Sequence, residues 1–514
     1  MANALKSLEV AKGDVVAIYM PTIAEAVFAI LACAKIGAIH TVIFSGFSAD
    51  SLRIRLQDCS AKILFTTDGF IRKGKPISQK KTVENALVDT KVSKTIVVNY
   101  KGVDSFDFKP GFLPYCNIVK NQDIQCKTES MDSESPLFIL YTSGTTGRPK
   151  GAIHVHGGFA VFAAHQSAYL IDQKKDDRLF WPADIGWITG LTWNIFGTLE
   201  TGSTAIIYDG ALNWPDDERL WKIILDYKIT IFGISPTAIR MIKSKPEQSA
   251  LLDELQSVRI IATTGEPIDE ETWWWLFEKV GKKKCPIMNL SGGTEVGGAF
   301  LSVLPGMKIK PSTVGMPCPG IDADVFDEYG RSLRMQKGFL VVKSPWPAIT
   351  RGLLNDDKRY LKTYWSKFED VWFHGDLASI DNDGLWYLHG RVDDVINVSG
   401  HRISTAEIEE SLLSHQKIAD VAAVAIPDEI TGEAVAIFAT MNPGFDVIGI
   451  EDELRDFISD RIGKLARPKI IRIVGGLPKT RTGKIVRRLL KAKLLGTTLG
   501  DLSSVENPQV LDEI

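Results

Sequence analysis

The chain has 514 residues and a formal net charge of −3, and 45% of its residues are hydrophobic and 24% charged. This length exceeds what one hydrophobic core accommodates, so the composition predicts a soluble globular protein with at least two domains. The small net charge argues against binding to nucleic acid or to an anionic membrane. The longest apolar stretch, residues 26–34, is too short to cross a bilayer.

Short apolar runs rich in β-branched residues alternate with helical patterns over the first part of the chain. Helical periodicity covers residues 22–36 and 51–58. The predicted strands are residues 15–20, 41–44, 62–67, 94–99, 136–140, 204–208, 230–234, 259–264 and 286–290. This alternation is typical of mostly parallel sheets, so we expect two related α/β subdomains.

The pattern changes after Ser312 to short strands with glycine turns, which predicts a small β-rich subdomain up to about residue 389. We therefore assign residues 1–389 to a large N-terminal domain and residues 395–514 to a small, mobile α+β domain. The charged segment 390–394 is the predicted hinge between them. The first residues look like the second half of an amphipathic helix, so we expect either a large domain that is shortened at its N-terminus or a natural start upstream of Met1.

The six cysteines have no CxxC spacing and no closely spaced histidine. This usage favours reduced thiols over a disulfide framework or a zinc site. No signal peptide is recognisable. A cytoplasmic location is therefore expected.

The eleven residues from Tyr141 to Gly151 read Tyr-Thr-Ser-Gly-Thr-Thr-Gly-Arg-Pro-Lys-Gly and follow an apolar strand pattern. Glycines leave the backbone free to curl, so that its N–H groups can converge on an anion, and Arg148 and Lys150 add positive charge. No Gly-Lys-Ser/Thr follows at the spacing of a P-loop. The segment predicts a phosphate-binding loop of another kind, and the alternative is a surface loop without a ligand.

Eight further strings occur in order with this loop along the whole chain, and together they carry a resemblance. They are residues 44–48, 181–190, 264–267, 292–295, 375–376, 390–394, 397–402 and 478–484. With them the chain resembles the AMP-forming acyl- and aryl-CoA synthetases, and most of all the acetyl-CoA and propionyl-CoA synthetases. The resemblance implies that a carboxylic acid and ATP form an acyl-AMP, whose acyl group then passes to CoA. It implies ATP, Mg²⁺ and coenzyme A as cofactor and co-substrates, a rotation of the C-terminal domain about Asp393, and small-molecule partners, with a homo-oligomer left open.

The resemblance also assigns site residues. Catalytic roles fall to Lys484, Glu295 and Thr145, with Glu295 as the Mg²⁺ carboxylate. ATP or AMP contacts are implied for Thr142, Ser143, Gly144, Thr146, Gly147, Lys150, Gly265, Glu266, Pro267, Asn289, Leu290, Ser291, Gly292, Gly293, Thr294, Asp376, Arg391 and Arg402. The acyl pocket would be lined by Ile188, Thr189, Thr264 and Gly292, and CoA bound by Arg72, Lys75, Thr189, Ser399 and Gly400.

Several of these assignments have an ordinary structural alternative. A second cation site is implied at Leu413, His415 and Ile418, but His415 is equally typical of a helix C-terminus. The basic cluster around Arg72 and Lys75 suits the phosphates of CoA and is also typical of a solvated charge run. Lys484 follows a glycine and precedes a helical pattern, which would let its ammonium reach a neighbouring active site.

The predicted pocket residues indicate which carboxylic acid the pocket would accept. Acetyl-CoA synthetases carry a tryptophan where this chain has Gly292, so we expect an enlarged pocket for propionate, butyrate or branched acids, each added CH₂ contributing about 0.8 kcal/mol. Thr264 leaves a hydroxy acid such as 3-hydroxypropionate or 4-hydroxybutyrate open, and acetate itself remains an alternative. Two other classes are a domain that loads a carrier protein and a non-catalytic nucleotide-binding relative.

Overall fold

The computed structural model describes residues 1–104, 106, 110–142, 149–243, 249–392, 395–398, 401–428, 431–480, 483–500, 502 and 505–514. The chain divides into two compact units. Residues 1–321 and 344–366 form the first unit, and residues 322–343 and 367–514 form the second. Within the described residues, no helix is both long enough and apolar enough to cross a membrane.

In its described residues, the first unit contains two seven-stranded sheets and one small hairpin. The hairpin consists of β4 Gly69–Arg72 and β5 Lys75–Ser78. The first sheet consists of β1 Val15–Tyr19, β2 Ile39–Val42, β3 Ile63–Thr67, β6 Lys94–Val98, β7 Phe112–Pro114, β8 Pro136–Thr142 and β9 Lys150–Val155. The second sheet uses β10 Arg178–Phe180, β11 Thr204–Ile206, β12 Ile231–Gly233, β13 Ile260–Thr263, β14 Ile287–Gly293, β15 Gly298–Ser302 and β16 Met316–Pro317.

In each of these two sheets the strands are parallel except at one end, where the pairing is antiparallel. The strand orders are β7-β6-β3-β1-β2-β8-β9 and β11-β10-β12-β13-β14-β15-β16. The antiparallel pairs are β8 with β9 in the first sheet, and β14 with β15 and β15 with β16 in the second. Both antiparallel ends carry residues of the predicted site.

The second unit contains a four-stranded and a five-stranded sheet. The four-stranded sheet is antiparallel and uses β17 Ala323–Phe326, β18 Gly338–Val342, β19 Trp372–Ile380 and β20 Trp386–Arg391. The five-stranded sheet uses β21 Val395–Val398, β22 His401–Ser404, β23 Ile418–Asp428, β24 Gly432–Met441 and β25 Ile470–Ile473.

Helices cover the sheets of both units. The α-helices of the first unit are α1 Ala2–Ser7, α2 Ala24–Ile36, α3 Ala49–Asp58, α4 Lys80–Ala86, α5 Tyr115–Val119, α6 His156–His165, α7 Thr198–Glu200, α8 Arg219–Asp226, α9 Pro236–Lys243, α10 Glu270–Trp275 and α11 Asp357–Tyr364. Those of the second unit are α12 Thr405–Leu413, α13 Ile450–Arg461 and α14 Arg487–Leu494. Short π-helical segments span Gln166–Leu170, Gly190–Gly197 and Leu276–Val280, and 3₁₀ segments span Ala250–Glu254, Lys464–Ala466 and Pro508–Glu513.

Both faces of the first sheet are buried, as the continuous apolar runs predict. Val16 and Ile18 belong to one hydrophobic cluster, and Ala17 and Tyr19, which alternate with them along β1, belong to another. Alternation along a strand sends neighbouring side chains to opposite faces, so each face of the sheet has its own core.

The α/β fold class predicted from the sequence is confirmed, and the small β-rich subdomain corresponds to the four-stranded sheet β17–β20. The strand predicted at 41–44 lies instead at Ile39–Val42, because its parallel pairing with β1 starts with Val15 opposite Ile39. That register buries His40, whose ring lies within 6.1 Å of those of Phe138 and Phe196. The predicted hinge 390–394 begins at the end of β20, and Asp393 lies outside the described residues, so the hinge and the boundaries at 389 and 395 remain predictions.

Candidate active site

The predicted phosphate loop connects two antiparallel strands. Thr142 ends β8 and pairs with Lys150, which begins β9. A P-loop instead leads from a strand into a helix, so this hairpin supports the exclusion made from the sequence. The loop residues Ser143, Gly144, Thr145, Thr146 and Gly147 lie outside the described residues, and their phosphate contacts remain predictions.

Next to the two strand ends that flank this loop, three side chains contact one carboxylate oxygen of Glu295. Oε1 of Glu295 accepts hydrogen bonds from the Tyr364 hydroxyl at 2.6 Å and the Thr142 hydroxyl at 3.4 Å. Nζ of Lys150 lies 3.2 Å from the same oxygen and donates to the Tyr364 hydroxyl at 2.9 Å. The Lys150 and Glu295 side chains are only 15% and 11% exposed. The structure thus brings the predicted phosphate-binding lysine and the predicted Mg²⁺ carboxylate together.

The backbone around Glu295 is held by three neighbours. Thr350 N–H donates to the Glu295 carbonyl at 2.9 Å, and the Trp346 indole donates to the Val296 carbonyl at 2.8 Å. His154 Nε2 lies 2.8 Å from the Thr294 carbonyl oxygen, which can only accept, so this nitrogen carries the proton. Complete burial lowers the pKa of His154 to about 4, so the ring is neutral at pH 7.

The oxygen ligands at this place fit Mg²⁺. Among the described residues, no group of three or more His, Cys, Asp or Glu side chains could hold a metal ion by itself. Mg²⁺ usually keeps several waters and binds through one or two carboxylates together with substrate phosphates. The Glu295 carboxylate beside the Thr142 hydroxyl suits that mode, and the nearby Lys150 supplies a cation for the phosphates.

The predicted adenine and α-phosphate residues follow adjacent parallel strands. β13 and β14 pair with Thr263 opposite Asn289, so residues 264–267 and the second half of β14 lie at the carboxyl edge of the sheet. Nucleotides bind at such edges in open α/β sheets. A Cβ built on Gly265 would meet no atom within 4 Å, so there is open space beside this residue.

Two residues of this edge already have structural partners. The Glu266 carboxylate accepts from Thr237 N–H at 2.6 Å, from the Thr237 hydroxyl, and from Arg240 Nη2 at 3.0 Å. It therefore satisfies the N-terminus of α9 as a capping group does. Asn289 is 2% exposed and its amide donates to the Thr313 carbonyl at 2.9 Å. Ligand contacts of Glu266, Pro267, Asn289 and Leu290 remain predictions.

Gly292 differs from the sequence-based expectation of an open pocket. Residues up to Gly293 belong to β14 and pair with β15, with Gly292 opposite Ala299. A Cβ on Gly292 would lie 1.9 Å from the Gly298 carbonyl oxygen and 2.6 Å from Ala299 Cα. The missing side chain therefore lets two strands approach each other, and backbone fills the space into which a side chain would project. The expectation that an absent indole simply leaves a large cavity is corrected accordingly.

The other predicted pocket residues lie in two places. Ile188 is 8% exposed and packs in the same core as β1, β2 and β8, while Thr189 precedes the π-helical segment Gly190–Gly197. The segment 181–190 contacts the string at 44–48 through Trp187 and Phe44, whose ring centroids are 6.4 Å apart. The Thr264 hydroxyl donates to the Leu290 carbonyl at 2.7 Å, so it already has an acceptor inside the protein.

The predicted CoA cluster lies at the tip of the β4–β5 hairpin. Arg72 pairs with Lys75, and the two connecting residues have positive φ angles, 48° for Lys73 and 75° for Gly74. Such two-residue turns are typical of tight hairpins. Lys73 and Lys75 are exposed, which suits a phosphate contact and an ordinary solvated turn equally.

In the second unit, Asp376 lies on β19 beside Arg391 at the end of β20. Arg391 Nη1 donates to Asp376 Oδ1 at 3.3 Å and to the His374 carbonyl at 2.9 Å, and His374 Nε2 lies 3.6 Å from Asp376 Oδ2. Gly375 between them has φ +90°, and a Cβ there would come within 2.7 Å of Arg391 Nη2. Glycine therefore permits the close approach of the guanidinium that holds the predicted ribose-binding carboxylate.

Lys484 lies in a turn before α14. Thr480 N–H donates to the Lys484 carbonyl at 2.8 Å, and Lys484 N–H donates to the Thr480 hydroxyl at 3.2 Å. The Lys484 side chain is exposed. Ser399 and Gly400 lie outside the described residues, and Arg402 is described only by its backbone in β22, so their roles remain predictions.

The predicted second cation site lies between α12 and β23. His415 Nδ1 accepts from Lys417 N–H at 3.3 Å, and Nε2 lies 3.2 Å from Glu453 Oε1. The ring also packs edge-on against Phe457, with centroids 4.8 Å apart. These contacts suit a structural histidine, and cation binding by Leu413, His415 and Ile418 remains a prediction.

Sequence reasoning missed the partners of Glu295, above all Tyr364 and His154. Tyr364 is 69 positions from Glu295 in the chain. The only local signal was a pair of tyrosines, at 360 and 364, spaced by one helical turn. The bidentate ion pair between Arg487 and Glu409 was also not predicted; its Nε–Oε1 distance is 2.8 Å and its Nη2–Oε2 distance is 2.5 Å.

The two open α/β sheets and the Lys150–Glu295 pair, next to the strand ends that flank the glycine- and hydroxyl-rich segment, fit a nucleotide-binding enzyme. Comparison with known proteins is more specific. The family model described as AMP-binding enzyme matches residues 1–354, and that of the AMP-binding enzyme C-terminal domain matches residues 407–484. The chain belongs to this family.

Curated relatives and solved structures agree with this assignment. The acetyl-coenzyme A synthetase of Methanothrix thermoacetophila is 42% identical over 100% of this chain and 79% of its own length. That of Chlorobaculum tepidum is 43% identical over 98% of this chain and 78% of its own length. The acetoacetyl-CoA synthetase from Streptomyces lividans superposes with a TM-score of 0.89 at 28% identity, covering 99% of this chain and 79% of that chain.

A further solved structure shares the fold alone. It is an anthranilate CoA ligase, AuaEII, in complex with anthranoyl-AMP, with a TM-score of 0.83 at 23% identity, covering 96% of this chain and 89% of that chain. The chain is thus an AMP-forming acyl-CoA synthetase, an acid–thiol ligase that uses ATP, Mg²⁺ and coenzyme A.

Proposed function

We propose that this enzyme activates a short- to medium-chain carboxylic acid, with propionate, butyrate or a branched acid preferred over acetate. The acid and ATP give acyl-AMP and pyrophosphate, and CoA then releases AMP and forms the thioester. The observation that carries the substrate choice is the glycine at position 292, where the acetate-specific enzymes that the chain resembles have a tryptophan.

The first half-reaction brings several negative charges together, because a carboxylate attacks the α-phosphate of ATP. Its catalysis is a matter of positioning and charge neutralisation. Lys150, beside Glu295 at the base of the loop, is the proposed cation for the β- and γ-phosphates. Glu295 and Thr142 would hold Mg²⁺, which when bound neutralises phosphate charge.

Residues of the second unit also have proposed roles in the reaction. Asp376, held by Arg391, would accept hydrogen bonds from the ribose hydroxyls. The exposed ammonium of Lys484 would neutralise charge on the acid and the α-phosphate. We propose Asp393 as the hinge, with Ser399, Gly400, Arg72 and Lys75 serving CoA in the second half-reaction.

The extent of the acyl pocket follows from the packing around Gly292. Replacing an indole by a hydrogen atom removes a large side chain, yet the backbone of Gly298 and Ala299 occupies the nearest part of that space. The enlargement is therefore modest, which supports a few additional carbons and not a long chain. The engaged hydroxyl of Thr264 gives no support to a hydroxy acid.

All six cysteines are described and are free thiols, which supports a reducing compartment, and we propose the cytoplasm. The names of the curated relatives favour acetate as the second candidate substrate. Comparing kcat/KM for acetate with kcat/KM for propionate, butyrate and branched acids distinguishes the two candidate substrates.

The test is acid-dependent exchange of pyrophosphate into ATP, followed by a CoA-dependent thioester assay, over straight, branched and hydroxylated acids. We expect the highest kcat/KM for propionate, butyrate or a branched acid. A preference for acetate would reject the substrate assignment. Exchange without any thioester would instead indicate a domain that loads a carrier protein, and the absence of exchange would indicate a non-catalytic relative.

A further inference from the structure

Helix α11 carries two tyrosines one turn apart, Tyr360 and Tyr364, and Tyr364 contacts Glu295. The helix starts after Asp356, whose side chain accepts from Arg359 N–H at 3.2 Å, and it ends at Tyr364. The rings of Tyr360 and Tyr364 have centroids 5.9 Å apart. The Tyr360 hydroxyl donates to the Thr350 carbonyl at 3.0 Å, whereas the Tyr364 hydroxyl contacts two charged groups.

We propose that Tyr364 is a positioning residue for the Mg²⁺–ATP site, acting through Glu295 and Lys150. Its hydroxyl donates to the Glu295 carboxylate at 2.6 Å and accepts from the Lys150 ammonium at 2.9 Å. A neutral hydroxyl group can donate and accept hydrogen bonds through a single oxygen atom. The inference rests on the proposed function, in which Glu295 holds Mg²⁺ and Lys150 binds phosphate.

The need for such a group follows from the charges. Glu295 and Lys150 are mostly buried and 3.2 Å apart, and an ion pair is stronger in such a place than in water. A tight ion pair would compete with Mg²⁺ for the carboxylate and with phosphate for the ammonium. The Tyr364 hydroxyl adds a hydrogen bond to each member of this ion pair, so that both groups stay in position when Mg²⁺ and phosphate replace their mutual contact.

A purely structural role is the alternative to be excluded. Tyr364 is only 4% exposed, and buried tyrosines commonly place their hydroxyl on a polar partner. Phenylalanine would fill the same space but could neither donate nor accept. Tyr360 offers the matched control, because it lies on the same helix and its hydroxyl bonds to a backbone carbonyl outside the charged cluster.

The experiment compares Tyr364→Phe and Tyr360→Phe with wild type in the full-length enzyme. We expect Tyr364→Phe to raise the Mg²⁺ concentration for half-maximal pyrophosphate exchange by about tenfold or more, the loss typical of a hydrogen bond to a charged group. Thioester formation from preformed acyl-AMP and the KM for CoA should stay unchanged. Tyr360→Phe should leave the Mg²⁺ dependence unchanged even if it lowers the unfolding temperature.

Equal Mg²⁺ dependence of Tyr364→Phe and wild type, or an equal shift in Tyr360→Phe, would overturn the inference. A double-mutant cycle adds a second readout: in the Glu295→Gln background, Tyr364→Phe should have no further effect on Mg²⁺ dependence. Calorimetric titration of Mg²⁺–ATP into the same proteins needs no acid. If wild type lacked acid-dependent exchange, the proposed function would fail, while weaker Mg²⁺–ATP binding by Tyr364→Phe alone would still support the role of Tyr364.

Discussion

Replacing Gly292 by alanine tests whether the close contact between β14 and β15 fixes the position of Glu295, the proposed Mg²⁺ carboxylate. The added Cβ would lie 1.9 Å from the Gly298 carbonyl oxygen and 2.8 Å from its carbonyl carbon, where ordinary contacts begin at 3.4 Å. These are backbone atoms of a paired strand, so no side-chain rotation can relieve the overlap, and the two strands must separate. Overpacking of this kind costs about 1–3 kcal/mol.

Separation of the two strands should also lower the rate of the reaction. Glu295 lies three residues after Gly292, in the turn that joins β14 to β15, and a displacement of about 1 Å can lower a rate by roughly 10²-fold. We therefore expect Gly292→Ala to lower both the free energy of unfolding and the kcat/KM of pyrophosphate exchange. Urea unfolding and exchange kinetics measure the two effects.

Gly476→Ala is the control for replacing a glycine as such. A Cβ there would meet only Val510 Cγ1 at 3.0 Å and Val510 Cβ at 3.8 Å, and a side chain can yield. A Gly292→Ala enzyme within about 0.5 kcal/mol of wild type and fully active would refute the close-packing argument. In a folded Gly292→Trp enzyme we expect the acetate-to-butyrate ratio of kcat/KM to rise about tenfold, because the proposed acyl pocket would lose space beside residue 292. An unchanged ratio would show that residue 292 does not line the acyl pocket.

Three further predictions concern the C-terminal domain and pH. Lys484→Ala should abolish acyl-AMP formation but leave thioester formation from preformed acyl-AMP largely intact, and equal loss of both steps would argue against a step-specific role. Asp393→Pro should do the reverse, because proline fixes φ at the proposed hinge; an unaffected second step, measured in the same two assays, would move the hinge elsewhere. Burial lowers the pKa of His154 from 6.5 to about 4, so the unfolded chain binds more protons between these values and stability falls as pH falls. Between pH 7 and pH 5 this one group should cost about 2 kcal/mol, and His154→Gln should remove that part of the pH dependence in urea unfolding; parallel pH profiles would contradict the assignment.

Strands could be predicted from the sequence because their signals are local. The apolar run before Tyr141 specifies a buried strand without reference to the rest of the chain, whereas the phosphate loop that follows it remains a prediction. The run at 286–290 predicted a strand, but its continuation through Gly292 depends on β15, which supplies the partner backbone. A local pattern does not contain that information.

Side-chain partners distant in sequence could not be predicted for the same reason. Glu266 has the motif context of a nucleotide contact, yet its carboxylate caps α9, which starts 30 positions earlier at Pro236. Tyr364 contacts Glu295 and Lys150, which are 69 and 214 positions away from it in the chain. The sequence indicated that the site contains a lysine and a carboxylate, but it did not indicate the neutral side chains that contact them or hold their backbone, Tyr364 and His154.

Product analysis of a single reaction mixture tests the proposed chemistry most directly. Purified enzyme would be incubated with ATP, Mg²⁺, CoA and propionate, and the nucleotides and thioesters quantified by chromatography and mass spectrometry. We predict equal amounts of AMP, pyrophosphate and propionyl-CoA, with no product when the acid or Mg²⁺ is omitted. Formation of ADP and phosphate, or of AMP without a CoA thioester, would contradict the assignment.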